Sequence, residues 1–180
     1  MLTTLTRIPL NEISAALSRV LPKEAYKAVT GTRAELTDIR PPYLREKLEE
    51  VFGVVGYGWW YTYDDMESEY DKSRNSGNPW TSTIKTLKLY YRYVDSETNQ
   101  VFVSEPIYAT GGISMDRKDF TQRGALTNAL GDAAKQLGWQ KGVYLGLIDH
   151  KNSEKWFKAQ QERDKALVEK GKRIPGTPIK

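Results

Sequence analysis

The sequence predicts an α+β fold: a helix followed by a three-stranded antiparallel sheet packed on a helix, a βββα core, with a C-terminal helical extension. Three observations carry it. In GALTNALGDAAKQLGW (124–139) alanine and leucine recur at 125, 126, 129, 130, 133, 134 and 137, a helical spacing. In YGWWYTY (57–63) the period drops to 2, with Tyr57, Trp59, Tyr61 and Tyr63 alternating with their neighbours, as a strand requires. TSTIKTLKLYYRYVD (81–95) and QVFVSEPIYAT (100–110) then read as two more strands, joined by a turn over 96–99.

The remaining elements follow in chain order. A first helix is expected over about 11–20, with Ile13, Leu17 and Val20 as a thin apolar stripe and Pro22 closing it. Residues 23–40 show no clear period. The next helix opens at PPYLREKLEEVF, where prolines suit the first turn and Gly53 ends it; Leu44, Leu48 and Val51 face inward, Arg45 and Glu49 outward. A long polar insert, DDMESEYDKSRNSGNPW (64–80), leads into the second strand. There Leu87, Leu89, Tyr91 and Tyr93 form the core face, and Lys88, Tyr90 and Arg92 the other. After Gly111 and Gly112 the basic stretch SMDRKDFTQR precedes the alanine-rich helix, which Gly138 stops. Beyond 150, SEKWFKAQQERDKALVEK is polar nearly all round and reads as a projecting or fraying helix capped by Ser153; GKRIPGTPIK is expected to be disordered. The chain thus divides into an N-terminal helical segment and oligomer contact (1–34), a core (35–149), and a basic extension with a tail (150–180).

Composition narrows the chemistry. The 180 residues suit one domain with appendages. There is no cysteine, which excludes a disulfide framework and thiolate chemistry, and the single His150 argues against a histidine metal site or catalytic relay. No apolar run spans a membrane and no signal-peptide core is visible, so a cytoplasmic protein is expected. The net charge of +4 is uneven: of 27 basic and 23 acidic residues, 9 and 4 lie in 150–180, which leaves 18 and 19 in the nearly neutral remainder. A polyanion would therefore need local clusters of basic side chains.

Two such clusters stand out. Lys88, Tyr90 and Arg92 alternate along one strand face at about 7 Å, close to the phosphate spacing of an extended strand, with a ring between the cations. Arg117, Lys118, Arg123 and Lys135 flank or lie on the alanine-rich helix, whose N-terminus also favours anions. The carboxylates Asp64, Asp65, Glu67, Glu69 and Asp71 lack the glycine of a calcium loop and read as a solvated acidic loop; the alternative is a metal-dependent nuclease site. GxxxxGK[ST] is absent, so ATP-driven strand exchange is not expected.

GALTNALGDAAKQLG followed by GVYLG resembles the helix signature of the Rad fifty-two-type single-strand annealing superfamily, which includes phage annealases: an alanine-rich helix with a T-[DN]-A-L core, ending in Phe-Gly or Leu-Gly. YLREKLEEVFGVVGYGWWYTY resembles its second signature, a helix ending in Phe-Gly and a Gly-Trp opening the first strand. The resemblance covers about 35–148. It implies binding of single-stranded DNA and ATP-independent annealing of complementary strands in homologous recombination and double-strand break repair. It also implies an oligomeric ring or helical filament in a bacterial or phage-infected cell, no cofactor, and a host single-strand-binding protein or exonuclease as a further partner. The family's Lys-Arg after T-[DN]-A-L is Gly131-Asp132 here, whereas Arg123 and Lys135 match basic family positions. The expected DNA contacts are Arg40, Arg45, Lys88, Tyr90, Arg92, Arg117, Lys118, Arg123 and Lys135. A single-strand-protecting protein that does not anneal, and a purely structural oligomer, are the competing expectations.

Overall fold

The computed structural model describes residues 1–29, 36–73 and 77–179. Its elements run β1 (Leu2–Thr4), α1 (Ile13–Leu17), β2 (Tyr26–Ala28), β3 (Thr37–Ile39), α2 (Pro41–Phe52), β4 (Trp59–Tyr63), β5 (Met66–Tyr70), β6 (Trp80–Asp95), β7 (Val101–Val103), β8 (Ile107–Met115), α3 (Lys118–Gln136), α4 (Lys141–Tyr144) and α5 (Ser153–Glu169). The α+β class holds. The strand count does not: a six-stranded antiparallel sheet stands where three strands were expected, and β2 and β3 form a separate two-stranded sheet inside the stretch that showed no period.

The count rises because both flanks of β6 are interrupted. β5 pairs with 80–84 and β4 with 87–91 on one edge, while β8 pairs with 80–84 and 87–89 on the other. β7 and β1 take opposite edges at the far end, against 92–94 and 93–95. β5 comes from the polar insert expected to be a loop. Its alternation is real but polar, Met66 and Ser68 turning inward and Glu67 and Glu69 outward, so no hydrophobic signal marks it.

β6 changes phase midway. Ile84 faces Gly111 and Leu87 faces Ala109, so two residues, Lys85 and Thr86, stand opposite the single Thr110. Ser82 and Ile84 therefore point to the same side as Leu87 and Leu89, and all four are buried. Tyr91 continues that side, where its ring stacks on Phe52 at 4.6 Å.

α3 lies on this covered side. Thr121, Ala125, Ala129 and Ala133 are fully buried. A Cβ on Gly111 of β8 would stand 2.3 Å from the Ala129 nitrogen and 2.4 Å from the Ala125 oxygen. The helix backbone thus rests directly on the strand backbone, which only small residues on both partners allow. α3 begins earlier than the alanine pattern suggests: Lys118 and Arg123 are inside it, and Arg117 is its N-terminal flank.

The N-terminal segment joins α3 through Gln140, whose side chain is buried. Its Oε1 accepts from the Tyr26 hydroxyl at 2.9 Å and its Nε2 donates to the Arg19 carbonyl at 2.9 Å. α1 is only five residues long, shorter than expected, but Ile13 and Leu17 are buried as its stripe implied. α2 matches its expected bounds, with Leu44, Leu48 and Val51 buried and Arg45 and Glu49 exposed. The boundary at 34/35 lies outside the described residues.

The C-terminal segment departs from expectation. α5 docks through polar groups: Asp164 pairs with Arg19, and Gln160 accepts from Val20 N at 2.9 Å and donates to Val20 O at 3.3 Å. Its N-terminal flank is Asn152; Ser153 is the first helical residue, and its buried hydroxyl has no partner among the described residues. The tail is placed as well. Arg173 pairs with Glu12, Gly176 N donates to the same carboxylate at 2.6 Å, and Ile179 N donates to Arg7 O at 2.9 Å. Periodicity cannot reveal such a tail, because a few polar bonds hold it rather than an apolar stripe.

Candidate nucleic-acid interface

On α3 the i+4 row Arg123, Thr127, Gly131, Lys135 forms an open stripe, drifting slowly round the helix. Its basic ends are about 18 Å apart along the axis. Thr127 donates its hydroxyl to the Arg123 carbonyl at 2.9 Å, and the Arg123 side chain is exposed. At the far end Lys135 Nζ sits 4.5 Å from the centre of the Tyr144 ring.

The stripe borders a groove of about 460 Å³ between α3, β8 and the β3–α2 junction. Thr127, Asn128, Gly131, Asp132 and Lys135 line one wall, Asp38, Ile39, Pro41 and Leu44 the other, with Trp139 and Tyr144 at one end. Gly131 leaves room: a Cβ there would meet only Leu44 Cδ2, at 3.9 Å. Asn128 donates to the Gly112 carbonyl at 3.0 Å and ties α3 to β8. Two carboxylates, Asp132 and Asp38, the second paired with Lys27 at 3.0 Å, make the groove mixed in sign rather than basic. Burial first, and then those two charges, push the Tyr144 hydroxyl up to about 12. It therefore stays protonated at neutral pH.

The second surface is the side of the β6 sheet away from α3. Trp60 and Tyr90, directly paired across β4 and β6, stack with ring centres 5.5 Å apart and planes 11° off parallel. The Arg92 guanidinium lies between two rings, 5.2 Å from Tyr57 and 5.1 Å from Trp60, and donates to the Tyr57 carbonyl at 2.6 Å. Lys88 sits 5.9 Å from the ring of its cross-strand partner Tyr108. Tyr57 and Tyr108 are 67% and 57% exposed, so the row is open to solvent. Farther along the same side, Glu67 pairs with Lys85 and Glu69 stands exposed opposite Thr81.

The structure gathers Lys88, Tyr90 and Arg92 on one face and Arg123 and Lys135 on one helix stripe. The other positions are scattered. Arg117 forms a bidentate pair with Asp119 and lies 4.1 Å from the Phe120 ring, which holds the Asp119 carboxyl below its ordinary range. Lys118 is 5.5 Å from the Trp80 ring. Arg40 flanks the start of α2 and Arg45 lies on its outer side, both exposed. Among the described residues no three Asp, Glu, His or Cys side chains gather as metal ligands.

Residue-by-residue reading missed Trp60, Tyr57 and Tyr108. Trp60 is hidden by the adjacent Trp59, which dominates the strand pattern yet is fully buried on the opposite side. The pairing of Tyr108 with Lys88 depends on the β6–β8 register, to which local sequence is blind. No helix among the described residues is long and apolar enough to cross a membrane. No known protein-family model matches this chain, and no curated protein sequence does.

Proposed function

We propose that this protein binds single-stranded DNA and anneals complementary strands without ATP, as an oligomeric ring or helical filament, in recombination or break repair. The observation that carries the reading is the α3 stripe: cations at both ends, small residues between them, on a helix fixed to the sheet by backbone-to-backbone contact. A fixed row of cations neutralises phosphates at set positions. The sequence resemblance supports the same reading. So does the layout, if β4 with β5 and β7 with β8 count as two interrupted strands beside β6: the order is then strand, strand, strand, helix.

A few contacts per protomer give weak, salt-sensitive binding, on the order of 10⁻⁴ to 10⁻⁶ M, and linked protomers raise it through effective concentration. No nucleotide cofactor is required, because base pairing with the second strand supplies the free energy. The protein extends the first strand and screens the charge that would repel the second.

The test is pairing of complementary fluorescent oligonucleotides without ATP. Arg123→Ala with Lys135→Ala should abolish acceleration and lower the slope of log affinity against log salt by about 1.4, two contacts at about 0.7 each. Unchanged annealing by this variant refutes the site. The two groove carboxylates favour one competing reading, a protecting protein that does not anneal, since they leave fewer phosphates neutralised. A pre-bound complex that blocks pairing rather than speeding it decides for that reading.

A further inference from the structure

We infer that the open side of the sheet takes bases rather than phosphates, with the Trp60–Tyr90 pair as the stacking surface. The inference rests on the proposed binding of single-stranded DNA and assigns part of that strand to a second surface.

Arg92 is the first reason. From sequence it looks like a phosphate ligand, but its guanidinium is already engaged by the Tyr57 carbonyl and two rings. It acts as a spacer that holds Tyr57 and Trp60 in one row with Tyr90, so the row ends in π faces rather than free cations. The Trp60–Tyr90 pair stacks near-parallel on a rigid antiparallel ladder and, with Arg92 against Trp60, builds a continuous half-buried row against whose open edge any base can lie. Lys88, one step along the strand, supplies charge beside the rings.

Charge placement chooses the occupant. Cations and rings occupy one end of the face, residues 88–92, while Glu67, paired with Lys85, and Glu69 occupy the other, which carries no net positive charge. A polyanion is therefore favoured at the aromatic end over the other. From Lys88 to Arg92 is about 13 Å of strand, room for about two extended nucleotides. A base lying on a ring keeps its pairing edge free, which suits a protein that must release strands into a duplex.

The experiment compares a 20-nucleotide poly-dT strand with a 20-unit abasic deoxyribose-phosphate strand at low salt. Wild-type protein, Trp60→Ala, Trp60→Phe and Lys135→Ala are titrated with each, after circular dichroism shows that each variant is folded. The expected result is at least tenfold tighter binding of poly-dT by wild type, loss of that preference in Trp60→Ala, and partial rescue in Trp60→Phe. Lys135→Ala should weaken both strands equally. Equal binding of the two strands by wild type overturns base stacking and leaves the annealing proposal standing. Preference retained in Trp60→Ala, or a change in oligomeric state as its only effect, removes Trp60 from the site. Failure to bind either strand overturns both proposals.

Discussion

Replacing Gly111 by alanine tests the closest contact in the fold. The added methyl would stand 2.3 Å from Ala129 N, 2.4 Å from Ala125 O and 2.7 Å from Ala129 Cα, where ordinary contact begins at 3.4 Å. All three are backbone atoms, so no side chain can rotate away, and α3 must withdraw by about 1 Å. Overpacking of this kind costs about 1–3 kcal/mol, and a 1 Å gap also forfeits a quarter to a half of each dispersion contact along the buried alanine row. A loss of about 3 kcal/mol is expected, lowering Tm by roughly 6–12 °C in a chain of this size. Gly112→Ala is the internal control. There the methyl meets Ser82 O at 3.4 Å and Thr83 Oγ1 at 3.5 Å, and a change within about 0.5 kcal/mol is expected. Gly131→Ala should go the other way, stabilising by about 0.5–1 kcal/mol, since nothing closer than 3.9 Å opposes it and helix propensity improves. Urea midpoints at constant m-value measure all three. If Gly111→Ala falls within 1 kcal/mol of Gly112→Ala, α3 does not rest on β8 as described.

Arg92→Lys removes the planar group between Tyr57 and Trp60, and should destabilise by about 1 kcal/mol while speeding amide exchange around Tyr57. Glu12→Ala deprives both Arg173 and Gly176 N of their acceptor; trypsin should then cut at Lys172 or Arg173 faster than in wild type, and an unchanged cleavage rate refutes the docked tail. Tyr144 titrates in the folded protein at about 12, above its ordinary 10. A raised pKa gives stability that is complete below 10 and is lost as pH rises toward 12, so the stability difference between wild type and Tyr144→Phe should shift against wild type across that window.

Elements with an apolar stripe were legible from sequence: α2 and β6 lie at or within a residue of their expected bounds, and Leu87 and Leu89 are buried as their alternation implied. β5 was not, because Glu67, Ser68 and Glu69 alternate without a hydrophobic contrast. β2 and β3 are three residues each, too short for any period to register. For the candidate site, sequence grouped Lys88 with Arg92 through spacing alone, but the engagement of Arg92 by Tyr57 and Trp60 depends on a loop and a strand pairing remote in sequence. Asp38 reaches the same groove as Asp132 only because β3 leads into α2 beside α3, a tertiary fact.

The bulge at Lys85 and Thr86 makes β6 two reading frames joined end to end. Before it, even-numbered side chains are covered; after it, odd-numbered ones are. Losing one residue there would leave Ile84 and Leu87 two apart, as their partners Gly111 and Ala109 are on β8, so that ladder would close into a regular one with the same side still covered. A single-residue deletion at 85 or 86 should therefore be tolerated by the β8 ladder, whereas the same deletion at Lys88, where the pairing is regular, should turn the residues beyond it to the wrong side. The aromatic row is kept in water by the regular register beyond the bulge, where residues 87–91 of β6 pair one for one with β4.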